Sequence, residues 1–215
     1  MNQRRSGHGN RCGRCRINNH FCVCEALVPF EIKNNISLIV HVSELILTSN
    51  TAQFVQKMLP QNAEIYIRGS GREMFTPDAL LARPGRPLYL FPDENSVELN
   101  DEFLEKYPGP YNLIVPDGNW GQAKKVKVRE KKFHDILSVR IPEGSVAEYK
   151  LRKAPKPNWV STYEAVTHAL RILEGDQAAD KLMDFFRVWV EATLNARSGN
   201  FSLAYHLTHS DSEEE

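Results

Sequence analysis

The sequence lacks several features that would each define a class of protein. No apolar run approaches the roughly 18 residues of a membrane-spanning helix, and the polar residues 1–16 are not followed by the apolar stretch of a secretory signal. The chain has no net charge and no composition typical of disorder, collagen or a coiled coil. Its 215 residues allow one substantial domain with a small appendage. We therefore expect a cytoplasmic protein with no membrane contact, and infer no obligate protein partner.

The zero net charge hides an uneven distribution. Four acids lie within the last five residues, so the rest of the chain carries four excess positive charges, and the tail at 209–215 is predicted to be disordered. Residues 1–16 contain five arginines and no acid, and residues 124–132 contain six basic residues and one acid. Each basic cluster is typical of a solvated helix face, a flexible arm or an RNA-binding surface. Charge alone does not decide between them.

Cysteine is absent outside one segment of thirteen residues. The pattern is C-x2-C-x6-C-x-C, formed by Cys12, Cys15, Cys22 and Cys24. A disulfide scaffold would spread its cysteines through the fold, whereas four clustered thiolates suit a closed, tetrahedral structural zinc site. An iron–sulfur cluster or a free redox set is the alternative, and His8 or His20 could replace one sulfur. We predict a zinc-binding unit over residues 1–30.

Beyond residue 30, short apolar runs alternate with amphipathic segments. β-Branched and aromatic runs predict strands at 36–42, 64–68, 87–91, 111–116 and 136–141. Helix signals predict helices at 50–59, 100–106, 120–132, 162–173 and 177–196. This alternation predicts an α/β domain over residues 31–208, with a mostly parallel sheet and helices on both faces.

Three turns near the predicted strand ends carry polar and aromatic side chains. They lie at residues 91–96, 117–121 and 159–165. Ligands of parallel sheets bind beyond the carboxyl ends of the strands, so these turns are candidate site segments. Each also has a purely structural interpretation: Asp117 can shape an Asx turn, residues 161–164 fit a helix capping box, and Trp120 can belong to the core.

Taken in order, the motifs of this chain resemble the DTW-domain family. They are the cysteine cluster, His41 with Glu44 and Thr48-Ser49-Asn50-Thr51-Ala52, then Pro116-Asp117-Gly118-Asn119-Trp120, then Ser145, Tyr149, Arg152 and Pro155, and finally Ser161-Thr162-Tyr163-Glu164-Ala165. The resemblance runs from Arg11 to about Leu194. One position departs from the family pattern, because Asn119 stands where threonine is usual.

The resemblance implies a tRNA-uridine aminocarboxypropyltransferase. Such an enzyme moves the 3-amino-3-carboxypropyl group of S-adenosylmethionine to N3 of a tRNA uridine and releases methylthioadenosine. It also implies a sheet similar to that of the SPOUT-type RNA methyltransferases, which contains a trefoil knot; whether this chain is knotted stays open.

The same resemblance assigns roles to residues. Asp117 is the candidate catalytic residue, which accepts the imide proton or orients the nitrogen. The cofactor-binding candidates are Phe91, Pro92, Asp93, Ser96, Val115, Pro116, Trp120, Arg152, Ser161, Thr162 and Tyr163. The candidate RNA-binding residues are Lys124, Lys125, Lys127, Arg129, Lys131 and Lys132.

Two rival functions fit the same residues. The first is an S-adenosylmethionine-dependent RNA methyltransferase, which presents the methyl carbon instead of the longer arm. The second is a zinc-bearing RNA-binding protein without catalysis, in which Asp117 and the capping box are structural. The sequence assigns no role to His41 or Glu44, and it does not identify the modified uridine.

Overall fold

A six-stranded parallel sheet forms the centre of the computed structural model, which describes residues 10–69, 75–151 and 159–199. The strands are β1 (Asn35–His41), β2 (Ala63–Arg68), β3 (Arg86–Leu90), β4 (Val97–Glu98), β5 (Tyr111–Asp117) and β6 (Leu137–Arg140). Their order is β2-β1-β5-β3-β6-β4, and every neighbouring pair is parallel. The prediction of an α/β fold with a mostly parallel sheet is confirmed, and the knot stays a prediction.

Seven helices accompany the sheet in the described part of the chain. They are α1 (Val42–Leu45), α2 (Ala52–Met58), α3 (Pro77–Leu81), α4 (Asp101–Lys106), α5 (Trp120–Arg129), α6 (Thr162–Leu173) and α7 (Asp176–Ser198). The sequence did not predict α1, α3 or β4, which are too short to show a period. Among the described residues, no helix is long and apolar enough to cross a membrane.

The two faces of the sheet carry separate apolar clusters, because alternate side chains of a strand point to opposite sides. Leu38 and Val40 of β1 belong to the larger cluster, which includes residues of α2, α6 and α7. Ile39, between them, belongs to the smaller cluster with residues of α3 and α5. Helices therefore cover both faces, as predicted.

The cysteine-rich unit shares the larger of these clusters. Cys15, Ile17 and Phe21 are buried within it, and the indole Nε1 of Trp189 in α7 donates a hydrogen bond to the Cys15 carbonyl at 3.3 Å. The described part of the unit predicted at residues 1–30 therefore packs into the core of the α/β domain. The predicted tail at 209–215 lies outside the described residues.

Candidate active site

A cavity of about 480 Å³ opens at the carboxyl edge of the sheet. Because all strands are parallel, the segments that leave β3, β5 and β6 meet there with the start of α6. The cavity brings together seven of the predicted cofactor residues: Phe91, Pro92, Val115, Pro116, Trp120, Ser161 and Thr162. Its walls also include Trp159, which belongs to the third predicted site turn, and Arg140 at the end of β6, which the sequence had not indicated.

The central strand β5 delivers its last residues to this cavity. All seven of its residues are buried, and Pro116 pairs with Ile39 of β1 inside the sheet. Proline removes a ladder hydrogen bond and is unusual in a central strand. Its position one residue before the strand ends places this irregularity against the cavity wall.

Asp117, the last residue of β5, lies behind the cavity rather than in its wall. Its side chain is buried, with 8% exposure for the residue. Oδ1 accepts a hydrogen bond from the Thr162 hydroxyl at 2.5 Å, and Oδ2 accepts one from Nδ2 of Asn50 at 2.8 Å. Thr162 does line the cavity. Asp117 is therefore not among the described residues that line the cavity, whereas its hydrogen-bond partner Thr162 is, and the catalytic role of Asp117 stays a prediction.

Asn50 is itself held in place by Gln53. The Gln53 amide N–H donates to Asn50 Oδ1 at 3.2 Å, and its side-chain Nε2 donates to the Asn50 carbonyl at 3.0 Å. Lys57 then joins this pair to the cysteine unit, since its Nζ donates to Gln53 Oε1 at 2.9 Å and to the Arg14 carbonyl. Sequence reasoning missed the role of Asn50, although it lies in a motif that carries the family resemblance.

Asn119 caps α5, which explains how asparagine fits a position where threonine is usual. Its side chain accepts a hydrogen bond from the Gln122 amide at 3.0 Å, and Gln122 Oε1 accepts from the Asn119 amide at 2.8 Å. Asparagine is among the preferred N-cap residues. Gln122 Nε2 also lies 3.2 Å from Nδ1 of His41, and the same nitrogen lies 2.8 Å from Ser43 Oγ. His41 is thus a hydrogen-bonded residue beside the site.

Two backbone amides at the start of α6 donate hydrogen bonds within the fold. Within a capping box, the Ser161 amide donates to Glu164 Oε2 at 2.6 Å, and the Tyr163 amide donates to Thr51 Oγ1 at 3.3 Å. Tyr163 is fully buried, and its hydroxyl donates to the Leu182 carbonyl at 2.9 Å. Both amides therefore have partners, and Tyr163 is a core residue.

Two further cofactor candidates, Asp93 and Ser96, are not among the described residues that line the cavity. Asp93 accepts hydrogen bonds from Ser138 Oγ at 2.6 Å and from the Asn95 amide at 3.0 Å. Ser96 Oγ donates to the Asp93 carbonyl at 2.8 Å. These contacts shape the loop after β3, and a role of either residue in cofactor binding stays a prediction. Arg152 lies outside the described residues.

The basic cluster of α5 divides into partnered and unpartnered side chains. Lys127 Nζ donates to the Ile136 carbonyl and to Ser138 Oγ, both at 2.7 Å, and partial burial lowers its pKa. Lys132 pairs with Asp78. These two side chains have partners within the fold, and their role as phosphate contacts stays a prediction. The remaining four are exposed and have no hydrogen-bond or ion-pair partner among the described residues: Lys124, Lys125, Arg129 and Lys131.

The Lys127 network predicts an effect on stability. We expect Lys127→Met to lower the free energy of unfolding by about 1–3 kcal/mol, because it leaves buried acceptors unpaired. Urea unfolding measures the change, and Lys125→Met on the exposed side of α5 is the matched control. Equal stability of both variants would show that Lys127 contributes no such bond.

The four cysteines form a candidate metal centre. Their sulfur atoms all lie within 4.8 Å of one another, with 3.4 Å between Cys12 and Cys24 and 3.8 Å between Cys15 and Cys22. Tetrahedral zinc with Zn–S bonds of about 2.3 Å requires separations of about 3.8 Å. A hydrogen bond from the Cys15 backbone lowers the pKa of Cys12 to about 6, whereas burial raises the pKa of Cys15 and Cys24. The set fits structural zinc.

Comparison with known proteins identifies the family. The family model described as DTW domain matches residues 9–194. The chain is 27% identical to tRNA-uridine aminocarboxypropyltransferase 2 of Drosophila melanogaster, over 77% of this chain and 67% of that protein. It is 28% identical to the protein of the same name from Mus musculus, over 76% of this chain and 56% of that protein.

A plant relative matches over more of its length. Identity to tRNA-uridine aminocarboxypropyltransferase A of Arabidopsis thaliana is 28%, over 88% of this chain and 84% of that protein. No solved structure matches the chain significantly. Because the family model covers most of the sequence, from the cysteine cluster through α6 and into α7, the chain belongs to the DTW-domain family.

Proposed function

We propose that this protein is a tRNA-uridine aminocarboxypropyltransferase. It transfers the 3-amino-3-carboxypropyl group of S-adenosylmethionine to N3 of a tRNA uridine and releases methylthioadenosine. One observation carries the proposal: the two most distinctive motifs, at residues 116–120 and 161–165, meet at one cavity on the carboxyl edge of the sheet. The names of the relatives support the same reaction.

The walls of the cavity suit the donor molecule. Phe91, Trp120 and Val115 offer aromatic and apolar surface for the adenosine. Among the described residues of the cavity wall, Arg140 carries a positive charge. Its guanidinium pairs with Glu98 at 3.5 Å and donates to the Ser96 carbonyl. A guanidinium binds a carboxylate strongly. We assign Arg140 to the carboxylate of the amino acid arm, beside the role that the family resemblance gives Arg152.

The reaction has a simple balance. The uridine N3–carbon bond forms while the carbon–sulfur bond of the sulfonium breaks, and the electron pair of that bond leaves with sulfur as a neutral thioether. The leaving group needs no acid. The proton on N3 must leave, so a base at the cavity wall is the chemical contribution required of the protein.

Thr162 and Asp117 provide that base as a pair. The Thr162 hydroxyl donates its proton to Asp117, so its lone pairs are available on the cavity side to accept the N3 proton. As N3 loses its proton to Thr162, the hydroxyl proton passes to Asp117. Asn50 fixes the other carboxylate oxygen. In this proposal Thr162 touches the substrate and Asp117 acts through it.

Replacement of Thr162 tests this pair. We expect Thr162→Val to lower turnover about 100-fold, the lower range of general acid–base contributions, with the affinity for S-adenosylmethionine nearly unchanged. Thr162→Ser keeps the hydroxyl and should restore most of the activity. Steady-state kinetics with tRNA measures both.

Thr167→Val is the matched control for this experiment. Thr167 lies on the same helix, and its hydroxyl donates to the Tyr163 carbonyl at 2.9 Å, away from the cavity. We expect that variant to turn over normally. If Thr162→Val also did so, the hydroxyl would have no part in the proton transfer.

Isotope labelling tests the proposed function against its two rivals. The protein is incubated with tRNA and S-adenosylmethionine labelled either in the carboxyl carbon or in the methyl group. Carboxyl label in the RNA is the expected result. Methyl label alone would indicate the rival methyltransferase, and tRNA binding without either label would indicate the RNA-binding protein.

A further inference from the structure

A second and larger groove, of about 820 Å³, adjoins the cofactor cavity. The groove and the cavity share three lining residues, Phe91, Pro92 and Trp120, so the two spaces are contiguous. Neither member of the Thr162–Asp117 pair lines the groove. The proposed transfer reaction therefore assigns no ligand to the groove.

Helix α5 forms one wall of the groove and presents a different kind of side chain at each successive turn. Trp120, Lys124 and Val128 line it, and their spacing of four residues places them on one side of the helix, about 6 Å apart along its axis. Trp120 is 41% exposed and Val128 is 67% exposed. Along this wall the aromatic ring of Trp120 lies next to the cavity, followed by the ammonium group of Lys124 and then by the apolar side chain of Val128.

The floor of the groove is a fixed hydrogen-bonding network. Lys127 Nζ lies 2.7 Å from Ser138 Oγ, which donates to Asp93 Oδ2 at 2.6 Å. Ser138 is buried, with 3% exposure, so these groups are held in position by the fold. They present donors and acceptors of constant geometry to whatever enters.

Charge limits the kind of ligand that the groove can hold. Asp93, Glu94 and Asp135 line it together with Lys124 and Lys127. Three carboxylates disfavour a run of phosphates, while Lys124, exposed and without a partner among the described residues, favours a single anionic group near α5. An aromatic wall, one cation and polar groups on the floor match one nucleotide better than a length of RNA backbone.

We propose that this groove binds the nucleotide next to the target uridine in the tRNA. Its base packs against Trp120, its phosphate lies at Lys124, and the strand continues past Val128. The inference rests on the proposed function, because a uridine that enters the cavity must leave its stack, and its neighbour on the strand then needs a surface close by. The walls shared by cavity and groove put that surface at the required place.

Val128→Glu tests the groove, because it places a carboxylate one helical turn from Lys124, beside the bound phosphate. The position is exposed, so folding should be kept. We expect the Kd for tRNA and for a uridine trinucleotide to rise about tenfold, because two negative charges a few ångströms apart near a protein surface repel each other strongly enough to weaken binding by that factor. Binding of free uridine and of S-adenosylmethionine should not change.

Val146→Glu is the matched control, because Val146 is 68% exposed and does not line the groove. It should leave all four affinities unchanged. If Val128→Glu bound tRNA and the trinucleotide as the wild type does, the groove proposal would be overturned. A weakened trinucleotide complex together with a wild type that transfers no label to tRNA would retain the groove and reject the transferase assignment.

Discussion

Asp117→Asn should lower turnover by at least about 100-fold, the lower range of general acid–base contributions. The substitution keeps the shape of the side chain but removes the charge that draws the Thr162 proton. Asparagine also carries an N–H₂ group in place of one carboxylate oxygen. That donor would face a second donor, either Thr162 Oγ1 or Asn50 Nδ2, so one hydrogen bond would be lost. The effect should fall on kcat, with the affinity for S-adenosylmethionine nearly unchanged, because the carboxylate lies behind the cavity wall.

The kinetic parameters separate a chemical role of Asp117 from a structural one. A chemical role lowers kcat and leaves the KM for S-adenosylmethionine unchanged, whereas a distorted cavity would raise that KM. Asp78→Asn is the matched control, since Asp78 forms a surface ion pair with Lys132 away from the cavity. Normal turnover by Asp117→Asn would remove Asp117 from the mechanism.

Cys15→Ser should abolish stoichiometric zinc and strongly destabilise the protein. Apparent zinc-binding free energies of about 10–16 kcal/mol in zinc-finger peptides exceed or match the whole stability of a typical domain. Cys15 is fully buried in the larger core, where Trp189 donates to its carbonyl. Loss of the metal should therefore spread from the cysteine unit to α7. Elemental analysis and thermal unfolding measure the two effects.

A chelator and a neighbouring substitution control this experiment. Chelation should lower the Tm of the wild type and have little further effect on Cys15→Ser. His20→Ala should keep one zinc per chain, because four sulfur atoms already complete a tetrahedral shell. Wild-type protein that contained no stoichiometric metal would contradict the zinc assignment.

Local patterns were sufficient for most of the fold. The apolar, β-branched character of residues 36–42 and 111–116 predicted two central strands that the structure places at Asn35–His41 and Tyr111–Asp117. The capping motif at residues 161–164 likewise placed the start of α6 correctly. These features depend on neighbours along the chain, so sequence periodicity reveals them. The small helix α3 depends on tertiary packing of Leu80, which is fully buried, and left no periodic signal.

The sequence was less informative about which groups are available at the site. It identified Asp117 and Thr162 but could not show that one lies behind the other, because a separation of 45 positions along the chain does not fix how two side chains meet. Lys127 looked identical to Lys124 in the basic run, yet only Lys127 turns inward to Ser138. Nothing in the sequence assigned Arg140 to the site, because it lies within the segment predicted as a strand at 136–141. Such distinctions arise when separate segments converge at one edge of the sheet.

The donor product released in the presence of tRNA gives the most direct test of the central claim. Chromatography with mass detection would follow the wild type, Asp117→Asn and Thr162→Val after incubation with S-adenosylmethionine and tRNA. We expect the wild type to release methylthioadenosine in proportion to the uridine modified, and either variant to release far less of it. Release of S-adenosylhomocysteine instead, or no tRNA-dependent product at all, would contradict the proposed function.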